Sequence, residues 1–308
     1  MDTQIRITGE HYNKLKKHLF PKDGKEAVAV ALCGRFSYES SEYLLVNDLT
    51  LIPYDECYSR DSDILTWSTK RIIPYFKKIN RSNMAIMKIH SHPGGYDEFS
   101  DLDDNSDYEF FESVFGWAIN DKPHASAIML PDGSIKGRFF SSDLSYNYVD
   151  KISIAGDTII QYEKFSNERN NDFALRTIQA FGDKTYKLLS NLKIGVVGCS
   201  GTGSPIIEQL VRLGVGSLFL VDSDIVEFKN LNRIINSKRN DVILKHSKVE
   251  AISNAIKEIG LDTNVITSKN NLYNDIHTLK SLVKCDVIFG CMDTVDGRHL
   301  LNQLCSFI

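Results

Sequence analysis

The sequence predicts two α/β domains in one chain, a mixed-sheet domain followed by a doubly wound parallel one, and three observations carry that expectation. The 308 residues exceed what one core usually organises, since domains run about 100 to 200 residues. Before residue 141, apolar strands and amphipathic helices come in irregular order. From residue 191 onward strand and helix alternate strictly, which implies parallel strands joined by helical crossovers.

In the first part, "EHYNKLKKHLF" (10–20) places apolar residues at helical spacing, and "AVAVALCGRF" (27–36) reads as a buried strand. "EYLLVNDLTLI" (42–52) is a second strand, residues 67–79 a helix, and "MAIMKIH" (84–90) a third strand. A helix follows within "DDNSDYEFFESVFGWAI" (103–119), and two short strands near "HASAIML" and "GSIKGRFF" close the domain near residue 141. In the second part the strands are "NLKIGVVG", "SLFLVD", "NVITS" and "CDVIFG", each followed by a helix: "SPIIEQLVRLG", "HSKVEAISNAIKEIG", "LYNDIHTLKSLV" and "GRHLLNQLC". The expected boundaries are 1–145 for the first domain, 146–172 for a weakly periodic linker containing the polar run "SNERNND", and 173–308 for the second domain.

Hydrophobic residues at 42% and charged residues at 25% are the balance of a folded globular protein. A formal net charge of -4 gives no basic footprint, so nucleic acid is not an expected partner. The N-terminus lacks a signal-peptide layout, no uncharged apolar run approaches the ~18 residues of a membrane span, and the cytoplasm is the expected location. The six cysteines are scattered with no C-x-x-C pair, which indicates neither a thiolate zinc site nor a disulfide framework.

The segment "KIHSHPGGYDEFSDLD" (88–103) carries the first chemistry. Residues two apart on a strand point the same way, so His90 and His92 present both imidazoles on one face. A Pro-Gly-Gly turn lets the chain reverse, and Asp103, at the start of a helix, can fold back as a third ligand. Two histidines and one carboxylate leave the fourth position of a Zn2+ ion to water, the arrangement of a catalytic site. Ser100 is placed to steady a developing oxyanion, with a plain helix N-cap as the other reading. Asp101, Asp104 and Asp107 read as favouring that helix's N-terminus, and His11, His18 and His124 as incidental.

H-x-H-P followed by S-x-x-D at this spacing resembles the JAMM signature of the JAB/MPN metalloproteases. That resemblance implies a JAB/MPN-like fold for the first domain and a glutamate just before its first long strand, which Glu26 in "GKEAVAVALCGRF" matches ahead of Glu39 and Glu42. It implies that Glu26 holds and deprotonates the zinc water, and that the reaction is hydrolysis of a peptide or isopeptide bond.

The segment "VVGCSGTGSPIIEQL" places Gly198, Gly201 and Gly203 between a strand and a helix, where a backbone can approach phosphates. Asp222 fits the acid of a dinucleotide fingerprint, and Ser200 stands where that fingerprint wants its second glycine, so a redox enzyme stays open at this point. "VDSDIVEFKNLNR", "HSKVEA" and "CMDTVDGR" are similar to motifs of the ThiF/MoeB family and of ubiquitin-activating enzymes, which have a Rossmann-like fold and adenylate protein C-termini. Carried over, the resemblance implies that Asp222 binds ribose, Asn230 and Arg233 the phosphates of ATP, Lys248 the α-phosphate and Asp293 the Mg2+, with Arg176 matching an arginine that reaches across a homodimer. Such a domain normally continues past the helix after Asp293, so ending at Ile308 implies an incomplete domain or an oligomer that covers the "CDVIFG" edge, and puts adenylation in doubt. Cys199 and Cys305 are poor thioester candidates.

Together the two resemblances imply a zinc-dependent isopeptidase or peptidase acting at the C-terminal glycine of a ubiquitin-like protein, fused to an ATP-dependent domain that activates the same tail. Two other readings stay open: a sulfur-carrier enzyme of cysteine, thiamine or molybdopterin type, and a non-catalytic binding module with structural zinc. The expected partner is a β-grasp protein ending in glycine.

Overall fold

The computed structural model describes residues 2–163 and 172–307. The chain divides into two compact units, Met1–Ser166 and Asn167–Ile308.

The first unit runs β1 (Asp2–Thr8), α1 (Gly9–Leu19), β2 (Val28–Tyr38), β3 (Ser41–Leu51), β4 (Cys57–Arg60), β5 (Leu65–Trp67), α2 (Ile73–Ser82), β6 (Ala85–Ser91), α3 (Asp101–Trp117), β7 (His124–Met129), β8 (Ile135–Phe140), β9 (Tyr146–Tyr148), β10 (Lys151–Ala155) and β11 (Ile159–Glu163). Apart from the β4–β5 hairpin, its strands form one mixed sheet in the order β11-β10-β1-β3-β2-β6-β7-β8-β9. Strand β6 is buried along its whole length because both faces are covered. Met87 and Ile89 pack with Tyr12, Leu15 and Leu19 of α1, whereas Ile86 packs with Ile79 of α2 and Phe111 and Val114 of α3. The even-numbered side chains of β6 therefore face α3, which settles on which side His90 lies. Helix α1 begins where the Thr8 side chain accepts from the His11 amide, and α3 begins in a capping box between Ser100 and Asp103.

Residues 146–163, expected as linker, instead supply β9, β10 and β11. Strand β10 pairs in parallel with β1, itself unanticipated, and the two bury Ile5, Ile7, Ile152 and Ile154 in the same core. The remainder of the expected linker, 164–171, lies outside the described residues. The helix expected over 67–79 starts later, at Ile73, because residues 65–67 pair with 57–60 as a hairpin.

The second unit comprises α4 (Leu175–Phe181), α5 (Asp183–Asn191), β12 (Lys193–Val197), α6 (Gly203–Arg212), β13 (Ser217–Val221), α7 (Arg239–Ile243), α8 (Lys248–Ile259), β14 (Asn264–Ser268), α9 (Ile276–Val283), β15 (Val287–Gly290) and α10 (Val295–Phe307). Among the described residues its four strands are all parallel, in the order β14-β13-β12-β15. Strict alternation in the sequence leads to this sheet because each crossover is a helix with one apolar face. No helix among the described residues is long and apolar enough to cross a membrane.

One core side chain makes the first unit acid-sensitive. His124 accepts the Ile86 amide at Nδ1 (2.9 Å) and packs edge-on against Phe115. Burial, aided by the charge of Arg35, pushes its pKa down to about 3. The unfolded chain takes up that proton near 6.5, so stability is lost as pH falls from about 6.5 toward the folded value, at up to about 1.4 kcal/mol per pH unit. His124→Asn keeps an acceptor for Ile86 but does not titrate. Urea unfolding followed by Trp67 and Trp117 fluorescence is expected to show a shallower acid loss in the variant. Equal slopes would mean another group carries the effect.

Candidate functional site

Register assembles the first site. Val28 of β2 lies opposite His90 of β6, so two residues outward Glu26 stands beside His92, on the face toward α3. Glu26, His90 and His92 are all buried, and each offers a ligand atom within 4.8 Å of the others. Asp103, in the first turn of α3, reaches back to both imidazoles: Oδ1 is 2.7 Å from His90 Nε2, and Oδ2 is 3.2 Å from His92 Nε2. The two Nε2 atoms are 3.1 Å apart. A tetrahedral ion with bonds of about 2.0 to 2.1 Å sets its donors about 3.3 Å apart, so these three separations match a zinc ligand set to within several tenths of an ångström. His92 Nδ1 is 2.7 Å from the Tyr96 carbonyl, which takes an Nδ1 proton, so that Nε2, facing Asp103 here, is the nitrogen that would ligate once a metal replaced its hydrogen bond to Asp103.

Electrostatics agree with a cation-binding cluster. Burial, reinforced by the neighbouring Asp103 and Asp63 charges, outweighs the attraction of His92 and raises Glu26 to about 7. Burial alone would raise Asp103, but hydrogen bonds from His90 and His92 hold it far below the usual carboxylate range. Burial lowers His90, whereas for His92 the bonds to Asp103 and the Tyr96 carbonyl overcome burial and raise it. Ser100 is the N-cap of α3: its Oγ accepts from the Asp103 amide and donates to Asp103 Oδ2 at 2.8 Å, so it is fixed against that carboxylate.

Some residues of this region were not read from the sequence as parts of the site. Asp107, taken there only as an acidic residue near a helix N-terminus, is fully buried and bonds Lys88 Nζ at 2.7 Å and Arg138 Nη2 at 2.9 Å. Arg138 also bonds Asp104. The one available signal was Lys88, a charge inside an apolar strand and in phase with His90.

The second site lies at the carboxyl ends of β12 and β13, where open parallel sheets bind ligands. Gly198 has φ +94°, and a side chain there would strike the Cys291 backbone at 2.9 Å. A Cβ on Gly203 would sit 1.9 Å from the Gly198 carbonyl, so the turn and the start of α6 close on each other as only glycine permits. Gly201 lies under the Arg233 side chain, 3.4 Å from the nearest atom to its ideal Cβ. Asp222 Oδ2 accepts from the Cys199 amide at 2.7 Å, while Lys248, at the start of α8, is 3.6 Å from Asp222 Oδ1 and 2.6 Å from Asp224 Oδ2. Asp224 is a partner of Lys248 that the motif comparison passed over. Asn230 is buried, and its Oδ1 accepts from the Glu227 amide. Asp293 is exposed, two residues past the Cys291 backbone that packs on Gly198. Arg176 is exposed on α4 and bonds Gln179, a contact that does not join it to the glycine turn. Burial pushes the Cys199 thiol up, against a nucleophilic role.

A parallel sheet with a glycine turn, an aspartate at the end of the second strand and a lysine opposite it define a nucleotide-fold class, and residues 174–307 match the ThiF family. The second unit is thus similar to a ThiF domain. Among similar proteins, ubiquitin-like modifier-activating enzyme 5 of Aedes aegypti is 29% identical over 171 residues, covering 51% of this chain and 42% of that protein. Adenylyltransferase and sulfurtransferase MOCS3-1 of Zea mays is 33% identical over 128 residues, covering 42% of this chain and 27% of that protein. The chain thus spans well under half the length of these curated relatives. Among solved structures, the E. coli tRNA N6-threonylcarbamoyladenosine dehydratase TcdA overlays with a TM-score of 0.40 at 28% identity, over 43% of this chain and 55% of that one.

The close approach of Gly203 to Gly198 yields a direct test. Gly203→Ala forces backbone movement and is expected to destabilise the second unit by about 1 to 3 kcal/mol in chemical denaturation. Unchanged stability would show that the turn relaxes freely.

Proposed function

We propose that this protein activates the C-terminal carboxylate of a β-grasp carrier with ATP, and that its first unit is a zinc hydrolase of JAB/JAMM type acting at the same glycine tail. For the first unit the reading rests on one observation, the convergence of His90, His92 and Asp103 with Glu26 held beside them. For the second it rests on the ThiF match together with Asp222, Arg233 and Lys248 gathered around the glycine turn. The carrier is of the sulfur-carrier or the ubiquitin-like kind, the two kinds suggested by the names of the Zea mays and Aedes aegypti relatives.

In the hydrolase, His90, His92 and Asp103 would hold zinc, which would supply the Lewis acidity that makes water acidic near neutral pH. Glu26, held beside both imidazoles, would take the proton of the attacking water and deliver it to the leaving amine. Ser100, whose hydroxyl is donated to Asp103 Oδ2 in this structure, would turn it to the developing oxyanion. A structural zinc would ordinarily be closed by four protein ligands, whereas Glu26 here is better suited to proton transfer than to permanent ligation.

In the ThiF unit, the amides of the Gly198–Gly203 turn and the start of α6 receive the ATP phosphates, helped by Asn230 and Arg233. Asp222 binds the ribose, Lys248 turns from its contact with Asp224 to the α-phosphate, and Asp293 would hold Mg2+. Arg176 serves the site of a homodimeric partner. Positive groups on the phosphates favour attack of the carrier carboxylate at the α-phosphorus, with pyrophosphate leaving.

Purified protein is expected to hold one zinc, and Glu26→Gln to keep it while losing at least about 100-fold in cleavage of Gly-Gly-tailed carriers bearing C-terminal extensions. A wild type without zinc, or a variant that still turns over, would sink the hydrolase reading. Asp293→Ala is expected to weaken Mg-ATP binding and carrier-dependent ATP–pyrophosphate exchange about tenfold or more. Equal ATP affinity in both forms would remove that role. Formation of a carrier thiocarboxylate when sulfide is supplied separates the sulfur-carrier form of the proposal from the ubiquitin-like one.

A further inference from the structure

Below the His90–His92–Asp103 cluster, α3 and the sheet are joined a second time. Asp103 and Asp107 lie four residues apart on α3, and His90 and Lys88 two apart on β6. Four helical residues rise about 6 Å and two strand residues about 6.6 Å, so the spacings nearly coincide. The result is a ladder with two rungs, Asp103 to His90 at 2.7 Å and Asp107 to Lys88 at 2.7 Å. Lys88, Ser126 and Arg138 stand in register across β6, β7 and β8, which brings Arg138 to the other oxygen of Asp107. Both cations and Asp107 are almost wholly buried, at 3%, 0% and 0% exposure. Arg138 reaches Asp104 with its remaining nitrogen, and Phe99, which leads into the Ser100 cap, covers its guanidinium at 3.9 Å.

We propose that Lys88, Asp107 and Arg138 form a positioning clamp that sets the register of α3 on the sheet, so that Asp103 presents its oxygens to both imidazoles. The proposal rests on the reading of that cluster as a zinc centre. Stability alone does not account for the clamp, because well-packed apolar residues of similar volume commonly hold a buried interface as firmly as a buried ion network. Direction does account for it. Apolar packing tolerates sliding of a helix by an ångström, whereas a carboxylate bonded on each oxygen to a cation from a different strand does not. Lys88, Asp107 and Arg138 thus act through Asp103 and do not touch the reacting atoms.

The test separates position from stability. The triple variant Lys88→Met, Asp107→Leu, Arg138→Met is expected to unfold at the same or higher urea concentration than wild type. It is also expected to bind Zn2+ about 10- to 100-fold more weakly in chelator competition, and to show an altered visible spectrum when loaded with Co2+. Wild-type zinc affinity and an unchanged cobalt spectrum in a folded triple variant would overturn the clamp. Should that variant fail to fold, Asp107→Asn, which keeps the shape and loses the charge, is read in the same way. Failure of the zinc reading itself would appear elsewhere: in wild type that binds no zinc, or in Asp103→Ala that binds it as tightly.

Discussion

The pairing that sets Val28 opposite His90 governs the whole first site. In a strand, a shift of one residue turns every side chain to the other face. Such a slip in β2 would carry Glu26 to the α1 side and bury it among Leu15 and Leu19, away from His92. Register is secured by the apolar residues themselves: Ala29 and Ala31 fit the α1 core, while Val30 and Leu32 fit the α2–α3 core. A core with two distinct sides thus holds a few polar side chains on one of them, and α3 meets that side with its own acidic stripe.

The second unit solves a different problem by the opposite means. There the backbone, not side-chain register, makes the site, and small residues let the turn after β12 close on the start of α6 and on the chain after β15. Side chains are added around that frame, Asp222 tied to the turn by the Cys199 amide and Lys248 tethered through Asp224. Lys248 is held between two carboxylates at the edge of the turn, a short reach from the place phosphates would take.

How far these sites could be read from residues alone follows from the kind of signal each one leaves. His90, His92, Asp103 and Glu26 lie at intervals that strand and helix geometry make meaningful, so their meeting was foreseeable. The glycines announce a turn because no other residue fits. Asp107 was not legible as a clamp, since an aspartate near an acidic helix start has a local explanation, and its partner Arg138 is thirty-one residues away on strand β8. Strands β9, β10 and β11 were missed for a related reason: each is three to five residues long and carries polar side chains, so only pairing with β8, β1 and one another defines them. Ser100 illustrates a third case, a residue whose capping role and proposed chemical role use the same hydroxyl.

The placement of β1 has a consequence for how the polypeptide is made. Strand β1, synthesised before either of its neighbours, lies in parallel between β3 and β10, and the latter begins only at Lys151. One flank of that strand stays open until nearly the whole unit has been synthesised, and its closure depends on contacts far apart along the chain, the circumstance that slows folding most. The nascent unit therefore completes its sheet late, after an interval in which an unpaired β edge is open to chaperones and to neighbouring chains.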